Sequence, residues 1–433
     1  MRDIRKARFV LIAALVALAA AACTSGGSTA SNANTNTNSP QTITWWHNGT
    51  AAPLLGIWQS VAAAYHKAHP NVTIKVNPIQ NEQFLTKVPL ALQSSTPPDV
   101  YQQWGFGREA TEAKSGKLAD LTSQVSSWLQ QFGPIVNGWQ VDGKQLGVPY
   151  DLHVVGFWYR KDLFAQAGIS SPPTTLPDLE SDISKLKAAN IVPLVSGSKD
   201  RWPDAFYWGY FAVRECSVAT MKAAMSSLKL DDPCWVKAGQ DVKDFLATNP
   251  FQQGFLGTAA QTGAGSSAGL VANGKAAMEL QGDWEPATMA SLTSDKNFMS
   301  KMGWFQFPSV PGGKGDPRVA LGGGDGFSCT TTAPSACADF LKYIDSTDVQ
   351  KQLASAGTLL PVNPAAASAI TDPTIKQVYN YLHSTPYIQA YFDTALPFTV
   401  GQNLDDAVAN YFANQGTPQS IVASVTNSAG GGK

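Results

Sequence analysis

The chain has 433 residues, with 31 Lys and Arg against 32 Asp and Glu and a formal net charge of −1. That balance argues against nucleic acid or an anionic membrane surface as the partner. Only 15% of residues are charged while Trp and Tyr number 12 each, and a body of about 390 residues is large enough for two lobes rather than one core.

Residues 1–22 read as a signal peptide. Arg2, Arg5, Lys6 and Arg8 form a basic start, and the apolar run Phe9–Ala22 is too short for a stable span and ends in small residues. Cys23 follows directly. This arrangement resembles a bacterial lipobox, in which the leader is cut and the new terminal Cys carries lipid, although Ala20 stands where Leu is usual. Lipidation at Cys23 would hold the body at the extracellular face of the cytoplasmic membrane; cleavage near Ala22 without lipid would release it. Residues 23–40 are mostly Ser, Thr, Asn, Gly and Ala, a composition that reads as a flexible tether.

From Gln41 the pattern becomes that of a folded α/β chain. Gln41–Trp46 alternates toward a strand, and His47-Asn48-Gly49 breaks it. Leu54, Leu55, Trp58, Val61, Ala62 and Tyr65 mark a helix that stops at His69-Pro70. Val72–Val76 alternates as a second strand, Glu82–Leu92 reads as a second helix, and Asp99-Val100-Tyr101 opens a third strand. Strand and helix in this alternation predict a parallel sheet, with ligands beyond the carboxyl ends of its strands. His47-Asn48, Gln80-Asn81-Glu82 and Gln103-Trp104 therefore share one predicted mouth. Further on, Gly147–Tyr159 is β-rich, helices dominate Leu176–Leu256, and Ala276–Leu280 is a buried strand. The Pro/Gly-rich Phe305–Val319 reads as a crossing between lobes, Pro334–Asp345 as a helix, and the remainder as helical to about Val425, with a tail at 426–433.

With Cys23 set aside, four cysteines remain. Cys216 lies near Cys234 and Cys329 near Cys337, each pair far from the other, so two local disulfides are expected in an exported chain. The spacings are not those of a zinc site.

Several short blocks, in order, carry a family likeness: Thr44-Trp45-Trp46-His47-Asn48-Gly49, Ser115-Gly116-Lys117-Leu118-Ala119-Asp120-Leu121, Gly147-Val148-Pro149-Tyr150, Trp158–Phe164, Asn273–Met278 and Gly282-Asp283-Trp284. Each is weak alone, but from Thr42 to Val425 the set resembles the extracellular solute-binding proteins of the maltose-binding type, and most of all the sugar-binding lipoproteins of actinobacterial ABC importers. The resemblance implies a two-lobe α/β fold of the periplasmic-binding-protein kind (type II), with hinged, discontinuous lobes closing on a ligand in the cleft. Carried onto this chain, one lobe would be 41–151 plus 309–347 and the other 152–308 plus 348–425. It also implies a binding protein rather than an enzyme, a monomer that meets permease subunits in the membrane, and no cofactor or metal.

A sugar site needs planar aromatic surfaces and polar side chains that make defined hydrogen bonds. The resemblance places aromatic platforms at Trp104 and Trp284. Trp45 and Trp46 must face opposite sides of their strand, so one is core and Trp46 is expected near the mouth with His47, Asn48 and Glu82. Asp151 and His153 lie on the first crossing strand, where an interior histidine is the bland alternative. Arg201, Trp202 and Asp204 come from a dense polar-aromatic loop, and an Arg201–Asp204 surface pair is the plainer reading there. Asp283 precedes Trp284, Gly324 would let backbone approach a ligand, and Asp325 and Phe398 complete the set. Asp405-Asp406 resembles a helix start, and neither it nor His66/His69 looks like a reactive site.

The rival reading is a secreted glycoside hydrolase with two carboxylates drawn from Asp151, Asp283, Glu285 and Asp325. Several aromatics and few cationic groups point to a neutral di- or oligosaccharide. Among sugars of related importers a β-linked disaccharide such as xylobiose fits best, with cellobiose, chitobiose and maltose-type sugars open.

Overall fold

The structure, a computed structural model, describes residues 39–430; the signal peptide, Cys23 and most of the tether lie outside them. Among the described residues no helix is long and apolar enough to cross a membrane.

The first sheet has the strand order Val72–Pro78, Gln41–His47, Val100–Gln103, Gly326–Cys329, Gly147–Pro149. Its first three strands are parallel and the last two antiparallel to their neighbours. Helix Leu54–Ala68 connects the first pair. Its buried Ile57, Trp58, Val61, Ala62 and Tyr65 recur at three- and four-residue spacing, which gives the single apolar stripe that packs on the sheet. Helix Asn81–Gln93 follows the second strand and begins at Gln80, whose side chain accepts from the backbone N–H of Glu82 and Gln83.

At Tyr150-Asp151 the chain passes into a second sheet built around the ten-residue strand Asp151–Arg160, buried along almost all its length. Ala320–Gly323 and Ala276–Gly282 flank it, Ile388–Ala390 and Val192–Val195 lie further out, and Met302–Phe305 pairs with its far end. Both faces are covered, so the strand reads Leu-His-Val-Val-Gly-Phe-Trp-Tyr rather than alternating. Helix Trp202–Glu215 is buried nearly all round. Arg214 within it is tolerated in the interior because the carbonyls of Phe307, Pro308 and Val319 accept its guanidinium hydrogens at 2.8 to 3.1 Å.

The strand pairing moves the expected boundaries. Residues 305–319 do not cross between lobes: the strands before and after them, Met302–Phe305 and Ala320–Gly323, both pair with Asp151–Arg160. Their Pro/Gly content marks a loop wrapped around Arg214. The second crossing is at Gly324-Asp325, where Gly326–Cys329 returns to the first sheet. The third lies beyond Asp348, because helix Thr347–Ser355 still packs on Leu54–Ala68 and Cys337–Ile344, and Leu360-Pro361 pairs with Asp151-Leu152. The last helix, Pro418–Gly430, runs past Val425 into the expected tail, and Asn403 donates to Ser428 at 2.7 Å to hold its end. Both expected disulfides are present, Cys216–Cys234 and Cys329–Cys337.

Candidate ligand-binding cleft

Two crossings side by side put the ends of both sheets against one space, a cleft of about 270 Å³. At its floor the crossing strands bring four side chains together. His153 Nδ1 lies 3.1 Å from both carboxylate oxygens of Asp283. Its Nε2 faces Asp151 at 3.2 Å and Asp325 at 3.6 Å. Burial alone would lower the pKa of His153, but Asp151 and Asp283 outweigh it and hold the imidazole well above its ordinary value. Burial raises Asp151 in turn, against the pull of His153. Asp325 also accepts from Gln102 Nε2 at 2.8 Å and Tyr150 Oη at 3.3 Å, while its backbone N–H donates to Asp151 at 2.6 Å. One imidazolium thus ties together both crossing segments.

Aromatic rings stand above this floor. Trp284 meets His153 edge-on with centroids 4.9 Å apart and Tyr391 at 6.3 Å. The hydroxyl of Tyr391 is buried without a hydrogen-bond partner among the described residues. At another part of the cleft wall the Arg108 guanidinium lies 4.5 Å from the Trp104 ring and 4.9 Å from that of Phe398. Arg108 Nε donates to Glu112 at 3.2 Å, and Nη2 is buried with no partner among the described residues. Trp202 adds a further indole, beside Glu82.

Of the side chains expected at the site, Asn48, Trp104, Asp151, His153, Arg201, Trp202, Trp284, Asp325 and Phe398 line this one cleft. The others do not. Alternation puts His47 on the same face as Trp45, so it is fully buried. Its Nδ1 accepts from Gly49 N–H at 3.1 Å, and burial lowers its pKa to about 3, which makes it a neutral turn histidine. Trp46, on the opposite face, packs on the small cluster around Ile79 and Phe84. Glu82 is half-buried at the rim, where burial raises its pKa and Asp200 and Trp202 are its neighbours. Asp204 neither lines the cleft nor pairs with Arg201. It is buried and accepts from Ser196 and Ser198 at 2.8 and 2.7 Å, with its pKa pushed up to about 7 by burial, and Arg201 pairs with Asp406 instead. Asp283 sits behind His153 as its orienting group. Gly324 serves packing rather than ligand approach: a Cβ there would lie 2.5 Å from the Asp151 carbonyl oxygen.

Of the second half of the wall the sequence pointed to Phe398 alone. Helix Phe398–Phe412 carries Phe398, Gln402 and Asp405 on one face, all lining the cleft. Asp405 lies inside this helix and not at its start, and the spacing of four and three was the legible signal. Arg108, Tyr150, Tyr391 and Asp393 also line the cleft.

Asp151, His153 and Asp325 place one ligand atom each within 4.8 Å of one another, a set that fits a divalent cation by donor type. The same atoms already satisfy each other by hydrogen bonds and ion pairs. Asp151, Asp283 and Asp325 are committed to one imidazole rather than set apart on two sides of a bond, and Glu285 is buried with one oxygen accepting from Gln261 at 3.1 Å.

A cleft between two α/β lobes, walled by indoles and by buried polar groups with open valences, defines a two-lobe ligand-binding protein. Residues 51–351 match the family of bacterial extracellular solute-binding proteins, and the chain belongs to that family. It is 25% identical over 389 residues to an uncharacterized ABC transporter extracellular-binding protein of Pyrococcus horikoshii, covering 87% of this chain and 84% of the relative. It is 23% identical over 331 residues to the diacetylchitobiose binding protein of Streptomyces coelicolor, covering 76% and 75%. A structure solved in a study of xylan utilization by Caldanaerobius polysaccharolyticus superposes with a TM-score of 0.82 at 25% identity, over 89% of this chain and 99% of the other.

Proposed function

We propose that this chain captures a short neutral oligosaccharide by closure of its lobes and delivers it intact to an ABC permease, as the binding component of a sugar importer. The observation that carries the reading is the pairing of indole faces with buried, unpartnered polar atoms in one cleft: Trp284 beside the Tyr391 hydroxyl, and Trp104 beside Arg108 Nη2. A sugar supplies both a CH face for the rings and hydroxyls for the open donors and acceptors. Charge supports a neutral ligand: each cation in the wall already has an acidic partner, Arg108 with Glu112, Arg201 with Asp406 and His153 with Asp151 and Asp283.

A β-linked disaccharide such as xylobiose is the leading ligand, supported by the likeness to a protein solved in a study of xylan utilization. The diacetylchitobiose-binding relative makes chitobiose the next to test. Anchoring through lipid on Cys23 belongs to the same proposal, and mass spectrometry of the membrane-extracted protein tests it by the mass of the N-terminal peptide. Calorimetric titration with xylobiose, cellobiose, chitobiose and maltose, followed by chromatography of the sugar, tests binding and rejects the reading if the sugar is cleaved.

A further inference from the structure

Trp104 leaves its strand on a turn that the backbone does not favour. Gly105 and Phe106 follow it at φ +73° and +56°, two left-handed residues in succession, and the second is not glycine. Alanine at Gly105 would put a Cβ 2.8 Å from the Gly138 carbonyl oxygen, so the turn has little room to relax. Such a backbone persists where its surroundings over-determine it. Gln103, the last residue of strand Val100–Gln103 and buried, supplies part of that constraint. Its Oε1 accepts from the backbone N–H of Trp104 at 2.5 Å and of Gly105 at 2.9 Å. Its Nε2 donates to Glu112 Oε2 at 2.5 Å. The same carboxylate accepts from Tyr101 Oη at 3.0 Å and, on Oε1, from Arg108 Nε at 3.2 Å. Arg108 in turn lies 4.5 Å from the Trp104 ring. One buried carboxylate therefore holds the backbone of Trp104 through Gln103 and its indole through Arg108. Neither Gln103 nor Glu112 lines the cleft.

Resting on the sugar-binding reading, we infer that Glu112 and Gln103 are positioning residues for Trp104: they touch no ligand and set the angle and depth at which the indole meets it. The ordering of the ring is complete before a ligand arrives, which lowers the cost of binding. An ionised carboxylate suits the hub because it only accepts, on two oxygens at once, and its bonds are charge-assisted. An amide suits the arm because one end donates to Glu112 while the other accepts from the turn. Glu112→Gln keeps the shape but puts an NH2 where one oxygen was. That NH2 faces either Arg108 Nε or the Gln103 and Tyr101 donors, so one arm is lost. Gln103→Met keeps the bulk and removes the arm to the backbone.

The test reads Trp104 directly in protein labelled with fluorotryptophan, its fluorine NMR signal assigned by its absence in Trp104→Ala. Without sugar, that signal is expected to shift or broaden in Gln103→Met and in Glu112→Gln. Each variant is expected to lose about tenfold in affinity for xylobiose, or for chitobiose if that binds more tightly, but less than about twofold when introduced into Trp104→Ala, because the ring they hold is then gone. Thermal melting shows that each variant is folded. A merely structural role would lower the melting temperature and leave signal and affinity where they were. The inference is overturned if the Trp104 signal is unmoved in both variants, or if their losses are the same with and without Trp104. A wild type that binds no neutral sugar overturns the sugar-binding reading instead, and the ligand-free fluorine spectra tell that failure from this one.

Discussion

Asp283 places both carboxylate oxygens 3.1 Å from His153 Nδ1 and so aims Nε2 of the same ring at the cleft. Asp283 also accepts from Val154 N–H at 2.9 Å, which locks it to the crossing strand. Asp283→Asn keeps the shape and removes the charge. The imidazole midpoint, read by NMR titration, is expected to fall by at least about 1 pH unit, with sugar affinity falling about tenfold. The sign follows from the raised native value. Stability from this ion pairing is fully present below the unfolded histidine pKa of about 6.5 and is lost as pH rises through the higher native value. An unchanged midpoint in the variant would show that Asp283 does not hold the proton.

Trp284 rests against a glycine by necessity. A Cβ on Gly282 would lie 2.2 Å from the Trp284 ring. Gly282→Ala should therefore push the indole off its seat, and Trp284→Ala should remove it. The truncation is expected to cost about 2 kcal/mol, roughly thirtyfold in affinity, and Gly282→Ala a smaller part of that. Far-UV circular dichroism should stay native in both. Equal affinity across wild type and both variants would remove Trp284 from the site.

His47 predicts acid sensitivity. Buried and neutral, with its pKa lowered to about 3, it resists protonation that the unfolded chain accepts. Stability should fall as pH drops below the unfolded value of about 6.5, by up to about 1.4 kcal/mol per pH unit from this group. His47→Gln removes the titration. Urea unfolding at pH 7 and pH 5 should show the wild type losing about 1–2 kcal/mol more than the variant over that interval; parallel losses would reject the assignment.

The Cys216–Cys234 bridge joins the end of helix Trp202–Glu215 to the start of helix Pro233–Ala247. Replacing both cysteines by Ser is expected to lower stability by about 2–4 kcal/mol. Ligand affinity at 25 °C should be retained, since neither cysteine lines the cleft. Chemical unfolding and calorimetry on the same preparation separate the two effects.

What the sequence disclosed was local. Strands Gln41–His47 and Val72–Pro78 and helix Leu54–Ala68 followed from alternation and the 3.6-residue stripe, because each is one continuous segment with one more deeply buried face. Trp104 and Trp284 were reached through the family resemblance, and both line the cleft. The errors at His47 and Asp204 have a shared cause. Both are polar residues next to cleft residues, and both turn away from the cleft onto groups close in the chain, His47 onto the Gly49 N–H and Asp204 onto the hydroxyls of Ser196 and Ser198. The Arg108 wall was illegible because it joins helix Phe106–Ala113 to a helix nearly three hundred residues later, a juxtaposition fixed by packing of Gly107 against Ala395 and Leu396. The second crossing was misplaced because a Gly-rich strand, Ala320–Gly323, carries no apolar alternation to mark it.

Titration calorimetry of the purified protein with a panel of neutral disaccharides decides whether the cleft binds sugar. At least one β-linked disaccharide is expected to bind at a single site, with the sugar recovered intact and the heat abolished or strongly reduced in Trp284→Ala. No heat from any neutral sugar, or recovery of cleaved sugar, would contradict it.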